Sequence, residues 1–288
     1  MAACPPAFAT KPTVVRPADI PPGGGRVLLL VVAHADDPAF FLGGVVRMWA
    51  DAGWTIHCLR VTDDAKDSVT LDQVETIARN AAEFRDAAAI LGISAIEDLG
   101  WPTDCLGDVS RVDLRERIIH AIRRLRPYGL VTFDPDSMFH EDNLDHKVLA
   151  EAVDEAFWCA QFDKHHPEHL AAGLGLHGVY ERWYFGRSVV GVTHVFDVET
   201  TIEHQVAAVL AHPTMLANIL HQHLLQAMTA SASRRDLEAA REDPRPFIDA
   251  MVRAVAAEKG APYGLPAGEV MRRARARLVN APPGAGGD

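Results

Sequence analysis

Val27-Leu28-Leu29-Leu30-Val31-Val32-Ala33-His34-Ala35-Asp36-Asp37 runs from an unbroken apolar stretch straight into one histidine and two acids. An apolar run without polar interruption predicts a parallel strand buried on both faces. In open α/β sheets ligands collect outside the carboxyl ends of strands, so this strand delivers imidazole and carboxylate to that edge. A turn leading into a helix can aim His34 and Asp37 at one point, while Asp36 projects nearby in another direction. A nitrogen and an oxygen ligand beside a spare carboxylate suit a metal-dependent hydrolase with Asp36 as general base.

Outward from that stretch, strand and helix signals alternate. Gly23-Gly24-Gly25 closes an irregular leader over 1–25, and the fold is expected to begin at Arg26. Helical spacing runs from about Pro38 to Ala52 and stops at Gly53; strands follow at Trp54 to Val61, Ala95 to Leu99 and Leu130 to Phe133. Helices are expected at Leu71 to Leu91, Val112 to Leu125 and about Asn143 to Ala160. This alternation predicts an α/β fold, a Rossmann-like, mostly parallel sheet flanked by helices. Further on, the reading gives strands at Val179 to Phe185 and Thr193 to Val198, then a helix from Thr200 to Met228 broken near Pro213. The core domain is thus placed at 26–228, with a C-terminal helical appendage over 229–280 (helices at Pro246 to Lys259 and Ala267 to Arg277) and a disordered tail at 281–288.

Composition narrows the partners. The 288 residues carry 39 acids against 28 bases, a net charge of -11, with no basic cluster. Nucleic acid and anionic membrane lean on clustered Lys and Arg, so both are disfavoured and small molecules favoured. Cys4, Cys58, Cys105 and Cys159 are scattered without a CxxC pair, which argues against a zinc ribbon or a disulfide framework. Neither a signal peptide nor a membrane-length apolar run is apparent, so a cytoplasmic location is the default.

A metal on His34 and Asp37 needs a third ligand with a fourth position left open for water. His146 is the candidate, in Phe139-His140-Glu141-Asp142-Asn143-Leu144-Asp145-His146, because its loop follows the fourth expected strand and returns to the same sheet edge. If a helix starts near Asn143, Asn143 and His146 share a face. An Asp-Asp pair at a strand exit can also serve merely as a helix N-cap. That reading leaves His34 and the Asn-x-Asp-His segment without a role. Asp145 fits a residue orienting a ligand histidine, or else a first-turn helix acid. Arg79 and Glu83 read as an i,i+4 salt bridge. His165, His166, His169 and His177 lie in a Gly/Ala-rich connection and read as exposed imidazoles rather than a second metal site.

These motifs resemble the PIG-L/LmbE-like family of zinc-dependent N-deacetylases. Its AHPDD signature and following glycine pair stand here as Ala33-His34-Ala35-Asp36-Asp37 with Gly43-Gly44. Arg79 to Gly92, Arg126-Pro127 with Leu130-Val131, and Asp145-His146 match later landmarks, and the segment Phe196 to His212 resembles a further one. The resemblance spans roughly 26–212. It implies a Rossmann-like sheet, one Zn2+ or another divalent ion per chain on His34, Asp37 and His146, Asp36 as general base, and an N-acetylated sugar or glycoside as substrate. It brings His212 into consideration through the family's late histidine. Asp64, on the loop after the second strand, reads as a solvated acid or, alternatively, as a sugar contact. Ala35 replaces the usual proline, Pro38 a common acid, and Asn143 a histidine that stabilises the oxyanion; Asn donates a hydrogen bond but supplies neither proton nor positive charge. An amidase for a non-sugar or thiol-conjugate amide, and a binding protein with a degenerate site, are the competing readings.

Overall fold

The computed structural model describes residues 11–275. In chain order the elements are β1 (Thr13–Val15), β2 (Val27–Val32), α1 (Asp37–Asp51), β3 (Thr55–Thr62), α2 (Gln73–Leu91), β4 (Ala95–Trp101), α3 (Arg111–Leu125), β5 (Gly129–Phe133) and α4 (Leu144–Cys159). There follow α5 (Pro167–Ala171), β6 (Glu181–Phe185), β7 (His194–Asp197), α6 (Ile202–Leu210), α7 (Pro213–Thr229), α8 (Arg235–Glu242), α9 (Arg245–Gly260) and β8 (Gly268–Arg275).

The strands form one sheet in the order β1-β7-β8-β6-β5-β2-β3-β4. All the recorded pairings are parallel except those of β8 with β6 and β7. β2 lies between β3 and β5, so its side chains have helices over both faces. Leu28 through Val32 are accordingly buried, which is why the run carries no polar residue. Gly43 and Gly44 let α1 approach α6: a Cβ at Gly43 would fall 2.8 Å from Gln205 Cγ, and one at Gly44 2.7 Å from Val198 Cβ. No described helix is long and apolar enough to cross a membrane.

Three expectations are corrected. The stretch Ala267 to Arg277 reads as helix because Ala, Glu, Met and Arg are good helix formers. Instead β8 fills the gap between β6 and β7, where paired edges on both sides outweigh intrinsic preference. The C-terminal extension is therefore helical only through α8 and α9, and its end is part of the sheet. Second, the leader is not wholly irregular: Thr13–Val15 pairs with β7, a strand too short to register as a periodic pattern. Third, Arg79 pairs with Glu75, while Glu83 accepts from the Thr214 amide (3.0 Å) and hydroxyl (2.6 Å), anchoring the start of α7. The expected tail at 281–288 lies outside the described residues.

Candidate metal centre

β2 ends at Val32, and the next residues turn tightly into α1. Asp37 closes that turn: its Oδ2 accepts from the backbone N–H groups of Ala33 (3.0 Å) and His34 (2.8 Å). These bonds belong to the turn, not to the helix start, and Asp36 at the N-cap position makes no capping hydrogen bond. The simple capping reading of the acid pair therefore fails. Asp37 Oδ1 is left pointing at His146, 3.3 Å from Nε2.

His146 arrives from the first turn of α4. Asn143 caps that helix, its Oδ1 accepting from the Asp145 amide at 2.8 Å. His34 Nδ1 and His146 Nε2 then stand 3.1 Å apart, and His34 Nδ1 lies 3.9 Å from Asp37 Oδ2. All three side chains are buried. Phe133 stacks on the His146 ring at 4.0 Å between centroids and fixes its plane.

The outer nitrogens decide what the inner ones present. His34 Nε2 faces Asp145 Oδ2 at 3.5 Å, and His146 Nδ1 faces Glu141 Oε2 at 3.2 Å. A carboxylate behind each ring holds the hydrogen on the outer nitrogen, leaving both inner nitrogens as lone pairs. Two lone pairs and a carboxylate oxygen at this spacing repel one another unless a proton or a metal ion lies among them. Tetrahedral zinc at ~2.05 Å from its ligands separates them by roughly 3.3 Å, close to the spacings found. The donor set thus fits a divalent ion.

Proton affinities tell the same story. Burial pushes His34 and His146 toward the neutral form, yet Asp145 and Asp37 for the first, and Asp37 and Glu141 for the second, outweigh it. The His34 pKa is raised and that of His146 rises to about 8. For Asp37 burial favours the protonated form, but the two imidazoles overcome it and lower its pKa. Glu141, despite burial, is held at about 2 by His146, the Asn143 amide and Arg187. Asp36 goes the other way: burial first, then the neighbouring Asp37 charge, raise it to about 7.

Of the expected site residues, His34, Asp36, Asp37, Asn143 and His146 line one cavity of about 350 Å³. Asp145 sits behind His34 and ties α4 to the loop after β4 through the amides of Asp104 (2.6 Å) and Leu106 (3.0 Å). Asp64 and His212 stand behind the cavity rather than in its lining. Asp64 is buried and engaged by Arg60 (2.7 Å), the Ala35 amide (3.1 Å) and Thr62 (3.1 Å), so it braces the turn and does not line the cavity. His212 is buried beside α7, outside the cavity lining, with no hydrogen-bond partner at either ring nitrogen.

Sequence reasoning missed three participants. Glu141 carried a usable signal, as an acid just ahead of a candidate ligand histidine. Arg187, which donates through Nε to Glu141 Oε1 (3.2 Å) and lines the cavity, had none. Neither did Asp67, whose buried Oδ2 lacks a partner and whose pKa burial raises to about 8. The opposite wall comes from α7 and α9, with Met215, Asn218, Gln222, His223 and Met251.

Residues 29–157 match the model of the PIG-L family, described as GlcNAc-PI de-N-acetylase. Over this stretch, somewhat under half of its length, the chain is similar to the PIG-L family. The matched PIG-L region contains the three converging side chains, Asp36, Glu141, Asn143 and Asp145, but not the wall of α7 and α9. Among relatives, a 1D-myo-inositol 2-acetamido-2-deoxy-alpha-D-glucopyranoside deacetylase of Rhodococcus jostii is 28% identical over 164 residues, covering 48% of this chain and 56% of that protein. The chain thus spans little more than half the length of that relative. Among solved structures, N,N'-diacetylchitobiose deacetylase from Pyrococcus horikoshii superposes with a TM-score of 0.71 at 19% identity, covering 88% of this chain and 85% of that one. GalB, a 4-carboxy-2-hydroxymuconate hydratase from Pseudomonas putida, gives a TM-score of 0.62 at 16% identity over 89% and 99% of the two chains. The fold therefore houses more than one chemistry, and the reaction must be argued from the site.

Proposed function

We propose that this chain is a metal-dependent hydrolase that removes an N-acetyl or other N-acyl group from a glucosamine-containing small molecule or glycoside. His34 Nδ1, Asp37 Oδ1 and His146 Nε2 are its ligands for one zinc ion. The convergence of two carboxylate-backed imidazoles on Asp37, beside an Asp36 carboxylate that nothing else engages, carries the reading. Deacetylase names among the relatives support it.

A divalent ion held there supplies Lewis acidity, lowering the pKa of water and polarising an amide carbonyl. The protein supplies the proton handling. Asp36 borders the cavity with no hydrogen bond to its carboxylate among the described residues, and burial gives it the proton affinity a base needs near neutral pH. It takes the proton from the attacking water and returns it to the departing amine, which leaves poorly without one. Asn143 spends its carbonyl oxygen on the helix cap, so its NH₂ is the group free to donate to the developing oxyanion. Asp145 and Glu141 hold the ligand rings in their tautomers.

The test is release of acetate and free amine from a panel of N-acetylglucosamine derivatives, comparing wild type with Asp36→Asn. Turnover should fall by roughly 10²–10⁴-fold while bound zinc is retained. Equal activity in the two proteins, or zinc binding with no amide cleaved across the panel, contradicts the assignment.

A further inference from the structure

Beside the metal cavity lies a second one of about 280 Å³ whose walls are mostly apolar. α1 contributes Phe40 and Phe41; α9 contributes Met251, Val252, Val255 and Ala256. Phe40, Phe41, Met251 and Arg187 line both cavities, so the two adjoin across these side chains. α9 lies outside the region matching the family, and its face toward this space was not anticipated from the sequence.

The polar groups of the lining are largely satisfied by the protein. Glu269 accepts from the amides of Gly44 (3.1 Å) and Val45 (2.8 Å), and Gln205 donates to the Ala39 carbonyl (3.2 Å). Neither needs a partner from a ligand. What remains is hydrocarbon plus two cations, Arg187 and Lys259. Val255 stays 44% exposed at this surface although it is a large apolar residue on a well-formed helix. Apolar hollows of this kind take apolar ligands because few polar groups there hold water.

We propose that this cavity is a subsite for an uncharged alkyl chain carried by the substrate, bound while its amide lies at the metal centre. The inference rests on the amide-hydrolase reading above and specifies the class of substrate. Such a chain has two possible sources, the acyl group being removed or an alkyl aglycone on the sugar. Arg187 and Lys259 disfavour a chain ending in an ammonium group.

Binding separates this inference from the reaction it rests on. Calorimetry on the full chain, with metal removed by chelator, compares N-acetyl-, N-hexanoyl- and N-octanoylglucosamine, and separately methyl, hexyl and octyl N-acetylglucosaminides. Each buried methylene strengthens binding by up to roughly 4-fold. Affinity should therefore climb at least about tenfold from the shortest to the longest member of one series, and that series identifies the source. Val255→Asp should flatten the climb, and an ω-amino chain should lose it. With zinc restored, kcat/KM should follow the same order. Affinity that is level or falls with chain length in both series overturns the subsite, whatever the turnover. A climb that persists unchanged in Val255→Asp places the chain elsewhere and overturns it equally. If chains bind as described but no amide is cleaved, the subsite stands and the hydrolase assignment fails.

Discussion

Two histidine clusters in this molecule differ in what sits at their centre. His165, His166 and His169 wrap the buried guanidinium of Arg123, which donates to the carbonyls of Ala160 (3.2 Å), Phe162 (2.9 Å), His165 (2.8 Å) and His166 (3.0 Å). His169 Nδ1 lies 3.3 Å from the same guanidinium, and its Nε2 is 2.7 Å from Glu116. Arginine brings its own positive charge and only donors, so it organises oxygen and nitrogen acceptors without outside help. Around His34 and His146 the lone pairs and carboxylate converge equally well, yet no side-chain cation stands among them. Proximity of histidines alone therefore says little. The decisive question is whether the protein fills the centre itself.

Substitutions can break this contrast from either side. Asp37→Ala removes one of the three proposed ligands together with the acceptor that closes the β2–α1 turn. Zinc affinity should drop by more than about 100-fold, beyond the 10–100-fold typical of losing a residue behind a ligand, as read by competition with a chromophoric chelator. Arg123→Met should do the opposite. It strands the carbonyls around α5 and should destabilise the fold by about 3–5 kcal/mol in denaturant titration, with zinc affinity of the folded protein unchanged. A loss of zinc from folded Arg123→Met would erase the distinction between the clusters. Glu141→Gln keeps the shape behind His146 but weakens its hold on the ring, and zinc affinity should fall about 10–100-fold.

pH acts on the same centre without a substitution. Unliganded His34 and His146 have raised proton affinities, the latter at about 8, and the ion must displace those protons. Apparent zinc affinity should thus rise with pH through the range below about 8. It falls below that point because the protonated rings lack the lone pairs the ion needs. An affinity independent of pH between 6 and 8 would mean that these rings bind no proton in the free protein.

The legible parts of the chain were those decided locally. The β2 run, its polar exit and the first turn of α4 each state their role within a few residues, so His34, Asp37 and His146 could be grouped before any coordinates. Asp145 was ambiguous between a helix acid and a residue behind a ligand, and only its 3.5 Å approach to His34 Nε2 distinguishes them. Asp64 read as a solvated loop acid or a sugar contact because the sequence does not show which way Arg60, only four residues earlier, turns its guanidinium. β8 was misread because its helix-forming residues are overruled by partners far away in sequence, and the same distance hid Arg187 and the α9 wall. What the sequence conceals here is mostly what another segment brings to the site.

Anomalous diffraction at the zinc edge from crystals of the zinc-loaded protein tests the central claim most directly. The account predicts one peak per chain at bonding distance, about 2.0–2.2 Å, from His34 Nδ1, His146 Nε2 and Asp37 Oδ1. Absence of a peak there, or the principal peak among His165, His166 and His169, would contradict it.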